Sequence, residues 1–124
     1  TLFRSGIFNM TFTYEQIVFS KEDYFEKNDS ELKNSIQWII PNAQKNTMEP
    51  ILLTLEQGGS TYPDNPHEGE EFGYVLKGSV EIHIGGRIYK AKKGESFYYE
   101  AKYSHHIESK KGATIIWVSS PPSF

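Results

Sequence analysis

Asn65, His67 and Glu71 are the residues of this chain whose types and spacing are best suited to chemistry. Turn formers precede them, and Glu71 begins the apolar run EFGYVL, so the sequence predicts a loop that leads into a strand. All three have odd numbers, and residues two apart in a strand face the same side, which predicts one shared face. Imidazole nitrogens and carboxylate oxygens are ligand types for divalent transition metals.

The spacing of these residues has the form Gly59-x5-Asn65-x-His67-x3-Glu71-x6-Gly78. It resembles the first motif of the cupin superfamily, in which a histidine is expected where Asn65 stands. The other five positions of that motif match at the same spacing.

A second cupin motif is recognisable further along the chain, as Gly86-x5-Lys92-x-Gly94 followed by His105-x3-Ser109. Lys92 stands in place of the motif's proline, and Ser109 stands in place of its asparagine. The resemblance begins near residue 50 and continues to the last residue.

The resemblance implies that His67, Glu71 and His105 point into one barrel and form a single site. Two imidazoles and one carboxylate suit non-haem Fe(II) and, with small changes, Mn, Ni or Zn. The alternative is that these residues hydrogen-bond a polar ligand or water without a metal. Asn65 offers only an amide oxygen, which does not replace an imidazole nitrogen as a ligand.

Aromatic residues close to this site have two interpretations. Phe97, Tyr99 and Trp117 are predicted to fill the barrel core or to line a ligand pocket. An acidic group beside aromatic faces can hold an amine by charge pairing and cation–π contact. The expected ligand is a small polar molecule, such as a polyamine or an amino-acid-like compound.

Two further histidines are predicted to lie outside the site. His83 has the parity of the solvent side in a strand whose apolar residues alternate, so it is interpreted as an ordinary surface histidine. His106 directly follows His105 and should point the opposite way if that segment is extended.

The stretch HEGEEFGYVLKG and the last residues, SSPPSF, are similar in sequence to the C-terminal effector domain of bacterial helix-turn-helix–cupin transcription regulators. In that family a DNA-binding module precedes the cupin. Residues 1–49 lack the two short amphipathic helices of such a module, so DNA binding is expected through a module absent from this chain. The resemblance implies a cytoplasmic, small-molecule-sensing homodimer. The alternatives are a stand-alone metal-dependent cupin enzyme, of the dioxygenase or isomerase type, and a carbohydrate-binding or storage cupin.

Composition sets further bounds. A chain of 124 residues has room for one domain. It has no cysteine, which excludes disulfides and zinc-thiolate sites. The net charge of −3, with scattered lysines, argues against nucleic-acid binding by this domain alone. No apolar run reaches the roughly 20 residues of a membrane helix, so no membrane partner is expected.

The predicted fold is all-β, a double-stranded β-helix or jelly-roll barrel of the cupin kind over residues 50–124. Residues 1–49 are predicted to be an extension of the same domain, with strands at 15–19 and 35–40, a short helix at 21–27 and dimer contacts. Within the barrel, separate strands are predicted at 71–76 and 79–84. Gly85 and Gly86 then predict a tight hairpin turn.

Overall fold

A computed structural model describes residues 15–124 of the chain. Their regular structure is almost entirely strand, which confirms the all-β class; the helical segments in this part are two 3-10 turns, Lys21–Asp23 and Ala43–Lys45. The strands of the described part are β1 (Phe25–Asp29), β2 (Asn34–Trp38), β3 (Glu49–Leu55), β4 (Gly59–Ser60), β5 (Glu70–Ile84), β6 (Arg87–Lys92), β7 (Ser96–Glu100), β8 (His105–Ser109) and β9 (Ala113–Ser120).

These strands form two antiparallel sheets that share β5. The first sheet has the order β1-β2-β3-β9-β5-β7, and the second has the order β6-β5-β8-β4. The residues Glu70–Gly78 of β5 pair with β9, and Ser79–Ile84 pair with β6. The sheet therefore curls over on itself, and the faces that look inward enclose the core.

The two strands predicted at 71–76 and 79–84 are one strand of 15 residues. The break expected at Lys77 and Gly78 is a bulge, at which the register with β9 shifts between Val75 and Lys77. Gly78 has a φ of 76° there, which glycine adopts without steric cost. A bulge bends a strand while keeping it continuous, and this bend carries β5 from one sheet to the other.

Apolar side chains from both sheets meet between them. Leu53 and Ile115 of the first sheet and Ile107 of the second have no exposed surface. The other members of this core cluster include Ile51, Leu55, Val75, Val80, Ile82, Tyr99 and Trp117. They alternate along their strands with outward residues, as a barrel that is filled by side chains requires.

The N-terminal extension differs from the prediction in two respects. Residues 15–20 have no regular structure, and Ile17 and Val18 are 76% and 81% exposed, so the predicted strand at 15–19 is wrong. A short apolar run becomes a strand only when a neighbouring strand pairs with it, and none of the described strands does so. The predicted helix at 21–27 shrinks to one 3-10 turn, in which the backbone N–H of Ser20 donates to the Asp23 carboxylate at 2.9 Å.

The remainder of the described extension is sheet. β1 and β2 form a hairpin, and β2 pairs with β3 over five residue pairs, so the hairpin lengthens the first sheet. The first fourteen residues of the predicted extension lie outside the described part. No helix within residues 15–124 has the length and apolar character needed to cross a membrane.

Candidate functional site

Three side chains converge inside the barrel, one from a loop and two from strands. Glu71 lies at the start of β5 and points inward. Gly73 and Val75 are buried on the same face of the strand. His105 is the first residue of β8, next to β5 in the second sheet. His67 lies in the loop before β5, where its backbone N–H donates to the carbonyl of Ala101 at 2.8 Å.

Both imidazoles contact the same carboxylate oxygen. Nε2 of His67 and Nε2 of His105 each lie 3.1 Å from Oε2 of Glu71. The side chains of Glu71 and His105 are completely buried, whereas that of His67 is 26% exposed. The cluster is thus open to solvent on the His67 side.

The Nδ1 atom of each ring is hydrogen-bonded to a backbone carbonyl oxygen. Nδ1 of His67 lies 2.9 Å from the carbonyl oxygen of Glu68, and Nδ1 of His105 lies 2.8 Å from that of Tyr103. A carbonyl can only accept, so each Nδ1 carries a proton. In a neutral ring the lone pair is then on Nε2, which faces the cluster.

Tyr99 holds the second oxygen of the carboxylate. Its hydroxyl donates to Oε1 of Glu71. Burial raises the pKa of Tyr99, and the neighbouring negative charge of Glu71 raises it further, so the phenol keeps its proton. Because Oε1 is occupied in this way, Oε2 is the atom that Glu71 presents to the two imidazoles.

The charged forms of Glu71 and His105 stabilise each other. Burial alone raises the pKa of Glu71, but the hydrogen bonds from His105 and Tyr99 outweigh it and hold this pKa below its usual value. Burial alone lowers the pKa of His105, but hydrogen bonds with Glu71 and Tyr103 outweigh it and raise this pKa. A carboxylate with a positive charge beside it is therefore the stable state of the pair.

A metal ion is another way to supply that positive charge. Two imidazole nitrogens and one carboxylate oxygen are a donor set for Zn, Fe, Ni or Mn. Tetrahedral donors at zinc bonding distances lie about 3.4 Å apart, close to the 3.1 Å that separates Glu71 from each ring. His67, Glu71 and His105 are thus positioned for a metal.

The structure does not bring Asn65 to this cluster. Its side chain is exposed, and Asp64 lies beside the cluster instead, with Oδ2 3.6 Å from Nε2 of His105. Asp64 and His105 exchange both backbone hydrogen bonds, at 2.7 and 3.1 Å. Directly paired residues present their side chains to the same face, so the inward direction of His105 places Asp64 inward as well.

The shift from position 65 to position 64 follows from irregular backbone. Residues 61–69 form a loop with one isolated bridge at Asp64, so strand parity does not apply to Asn65. A signal for Asp64 was present in the sequence, namely a carboxylate next to the motif position. A ligand role for Asn65 stays a prediction.

A cavity of about 320 Å³ opens next to Asp64. Aromatic rings form much of its wall, and β1, β2, the loop after β4 and the C-terminal residues all contribute to it; its lining includes Lys27, Asp29, Trp38, Tyr62, Trp117 and Phe124. The Nε1 group of Trp117 is buried and directed at the hydroxyl of Tyr99, so it is the indole ring rather than its N–H that Trp117 presents to the cavity.

Glu49 organises one side of this cavity, a role that the sequence analysis did not foresee. Its side chain is fully buried and accepts hydrogen bonds from Nε1 of Trp38 at 2.9 Å and from the backbone N–H groups of Ser123 and Phe124 at 3.0 and 2.7 Å. The ring of Phe124 then packs on Trp117, with centroids 4.6 Å apart.

The three aromatic residues predicted near the ligand occupy different places. Tyr99 belongs to the carboxylate cluster, and Trp117 lines the cavity. Phe97 stacks on Tyr99 with centroids 6.2 Å apart and fills the space over Gly73. It lies on the wall of a second cavity, of about 610 Å³, on the side of β6 and β7.

The family of the chain follows from its sequence and fold together. Residues 51–119 match the family described as the cupin domain, which is more than half of the chain. The chain belongs to the cupin family.

Its relatives include transcription regulators. The chain is 26% identical over 112 residues to the HTH-type transcriptional regulator PuuR of Escherichia coli strain K12, a match that covers 88% of this chain and 59% of the regulator. The chain thus spans about three fifths of the length of the curated relatives it matches.

Solved structures with this fold include both regulators and an enzyme candidate. A transcriptional regulator of the HTH_3 family from Vibrio cholerae has a TM-score of 0.68 at 18% identity, covering 79% of this chain and 56% of that one. A predicted oxalate decarboxylase from Thermotoga maritima has a TM-score of 0.71 at 18% identity, covering 84% and 98%. At such identity the likeness concerns the fold alone.

Proposed function

We propose that this chain is the small-molecule-sensing domain of a transcription regulator and that its effector occupies the cavity beside Asp64. The observation that carries this proposal is the composition of the cavity wall. Strands β1 and β2 of the N-terminal extension form one side, and the barrel residues Asp64 and Trp117 form the other. A ligand between them contacts both parts of the domain.

The chemistry of the wall favours a cationic amine. Aromatic faces attract cations, and the carboxylate of Asp64 pairs with an ammonium group. Lys27 at the rim supplies a positive charge that a second, anionic group of the ligand can reach. A polyamine uses the acid and the rings alone, whereas an amino-acid-like effector uses Lys27 as well.

The same wall offers a route for the signal. In the regulators that the sequence resembles, the DNA-binding module precedes the cupin. The strands β1 and β2 are therefore the described strands nearest to such a module in sequence. A ligand that binds one arrangement of the hairpin more tightly shifts the population toward it. Transmission to DNA then requires that the arrangement of a dimer depends on the hairpin.

Dimerisation is proposed through the outer face of the first sheet, where β5 and β9 add to the dimer contacts predicted for residues 1–49. Phe72, Tyr74 and Leu76 of β5 are each about 40% exposed there, and Ile116 and Val118 of β9 lie beside them. In the proposed dimer, a second copy of the chain covers this face, which stays partly exposed within residues 15–124. A regulator of this kind is proposed to work in the cytoplasm, where bacterial DNA is found.

A panel of amines and amino acids tests effector binding through the melting temperature of the chain. A ligand selective for the native state stabilises it by about 2.7 kcal/mol at a hundredfold excess over its Kd. We expect a concentration-dependent rise for at least one amine, lost in Asp64→Asn and kept in the control Glu56→Gln, whose side chain is exposed. A panel without any rise contradicts the proposed effector class.

A second candidate function is that of a metal-dependent cupin enzyme. The observation that favours it is the convergence of two Nε2 atoms on Oε2 of Glu71, with one side open at His67. A bound divalent metal there would act as a Lewis acid toward a substrate. Reading the parent gene upstream of Thr1 separates the two candidates: a helix-turn-helix in frame supports the regulator, and an initiator methionine close to Thr1 supports the enzyme.

A further inference from the structure

A second group of metal-ligating side chains lies on the outer face of the second sheet. Strands β5 and β8 pair there, with His83 directly opposite His106 and Glu81 directly opposite Glu108. Their inward neighbours, such as Ile82, are buried in the core, so these four side chains share the outward face. The cluster is therefore separated from His67, Glu71 and His105 by the thickness of the sheet.

The donor atoms of this outer cluster converge. Nε2 of His106 lies 2.9 Å from Oε2 of Glu108, and Nε2 of His83 lies 3.4 Å from the same oxygen. The two imidazoles stack, with centroids 4.3 Å apart and planes inclined by 16°, so one ring must turn about its Cβ–Cγ bond before both Nε2 lone pairs face one ion. One donor atom from each of the three residues lies within 4.8 Å of the other two.

His83 carries an unsatisfied nitrogen. Its Nε2 is buried and has no hydrogen-bond partner among residues 15–124, since the contact with Glu108 at 3.4 Å lacks the alignment of a hydrogen bond. A buried polar atom without a partner destabilises the folded state. A metal ion between the three donors would use the lone pair of this nitrogen.

From these contacts we propose that His83, His106 and Glu108 form a binding site for a divalent transition metal of the zinc type. Two imidazoles and one carboxylate are a donor set for zinc, whereas Mg²⁺ and Ca²⁺ prefer oxygen ligands. The separations of 2.9 and 3.4 Å from Glu108 lie near the roughly 3.4 Å between tetrahedral donors on zinc. The inference does not depend on the proposed function.

The fourth position of this site is left to water. Glu81 lies near His83, with Oε1 3.8 Å from Nε2, but its other oxygen is 3.4 Å from Nζ of Lys110. The ammonium group of Lys110 competes with a metal for this carboxylate. Glu81 accordingly acts as an outer partner rather than as a ligand, and Glu81→Gln is expected to weaken zinc binding much less than Glu108→Gln does.

Zinc titration of a variant without the inner imidazoles, His67→Ala/His105→Ala, tests the site. Calorimetry should detect one zinc equivalent, and the further change His83→Asn should lower the zinc affinity at least tenfold. Circular dichroism checks that both variants are folded. A folded inner-site variant that binds no zinc, or that binds it equally well with and without His83, overturns the proposal.

A measurement on the otherwise unchanged chain covers the case in which the inner-site variant does not fold. Zinc stoichiometry from equilibrium dialysis should fall by one equivalent in His83→Asn and in Glu108→Gln, whatever the inner site binds. The charge-matched control Glu100→Gln, which removes an exposed acid paired with Lys102, should leave it unchanged. Equal stoichiometry in all four proteins overturns the proposal.

Discussion

Oε2 of Glu71 lies 3.1 Å from Nε2 of His105, and both side chains are completely buried. Burial of two ionisable groups is costly unless they compensate each other. Here the contact supplies that compensation, and Tyr99 and the Tyr103 carbonyl hold the two groups in place. The pair is therefore held inside the barrel by these contacts, and the more exposed His67 adds a third donor beside it.

The first prediction concerns the metal affinity of this cluster. Glu71→Gln keeps the shape of the side chain but removes the charge, so the affinity for Zn²⁺ or Ni²⁺ at the inner site should fall at least tenfold, or about 1.4 kcal/mol. Calorimetry measures it in a His83→Asn background, which excludes the outer cluster. Glu70→Gln, an exposed neighbour on the same strand, is the control and should keep wild-type affinity. Equal affinities for the two variants would contradict a ligand role for Glu71.

The second prediction concerns assembly. Tyr74→Glu places a charge in the middle of the apolar outer face of the first sheet, and charges are depleted from the cores of interfaces. Sedimentation at tens of micromolar should show a dimer for the wild type and a monomer for this variant. Ile88→Glu changes a comparably exposed side chain on the other sheet and should stay dimeric. A wild type that sediments only as a monomer would remove the proposed interface.

The third prediction concerns Glu49. Glu49→Gln removes the negative charge from a buried group that accepts three hydrogen bonds. Hydrogen bonds to charged groups are each worth about 1.5–3 kcal/mol, so the free energy of unfolding should fall by roughly 2 kcal/mol or more in urea titrations. The exposed Glu56 lies just beyond the same strand, and Glu56→Gln should change stability by less than about 0.5 kcal/mol. Two variants of equal stability would show that Glu49 does not anchor the C-terminal residues.

The fourth prediction compares two glycines. A Cβ at Gly73 would overlap the ring of Phe97, whereas a Cβ at Gly86 would have no atom within 4 Å. Overpacking in a core costs about 1–3 kcal/mol. Gly73→Ala should therefore lower the melting temperature clearly, while Gly86→Ala should leave it nearly unchanged. A neutral Gly73→Ala would mean that the ring of Phe97 moves freely.

The local pattern of the sequence predicts much of this barrel. Alternation in β5 and β9 indicates which residues of each strand face inward, and the pair Gly85 and Gly86 predicts the hairpin between β5 and β6. Of that pair, Gly85 has a positive φ of 60°. Local turn chemistry and the period of two suffice for such features, because neighbouring residues determine them.

Features that depend on distant pairing were not predictable in this way. The approach of Asp64 to His105 depends on a bridge between a loop and β8, and the pairing of His83 with His106 depends on the register of β5 against β8. The hydrogen bond from the backbone N–H of Phe124 to the Glu49 carboxylate joins residues 75 positions apart. The alternation of residues along a strand predicts the face on which a side chain lies, but it does not predict which residue of the neighbouring strand is paired with it.

The most direct test of the sensing proposal uses the tryptophans of the cavity. The chain has two, Trp38 and Trp117, and both line the cavity beside Asp64. Titration with putrescine, other amines and amino acids should give a saturable change in intrinsic fluorescence for the effector class. Asp64→Asn should weaken the affinity at least tenfold, and Glu56→Gln should keep it. The absence of a saturable change in the wild type, or an equal response in Asp64→Asn, would contradict an effector site in this cavity.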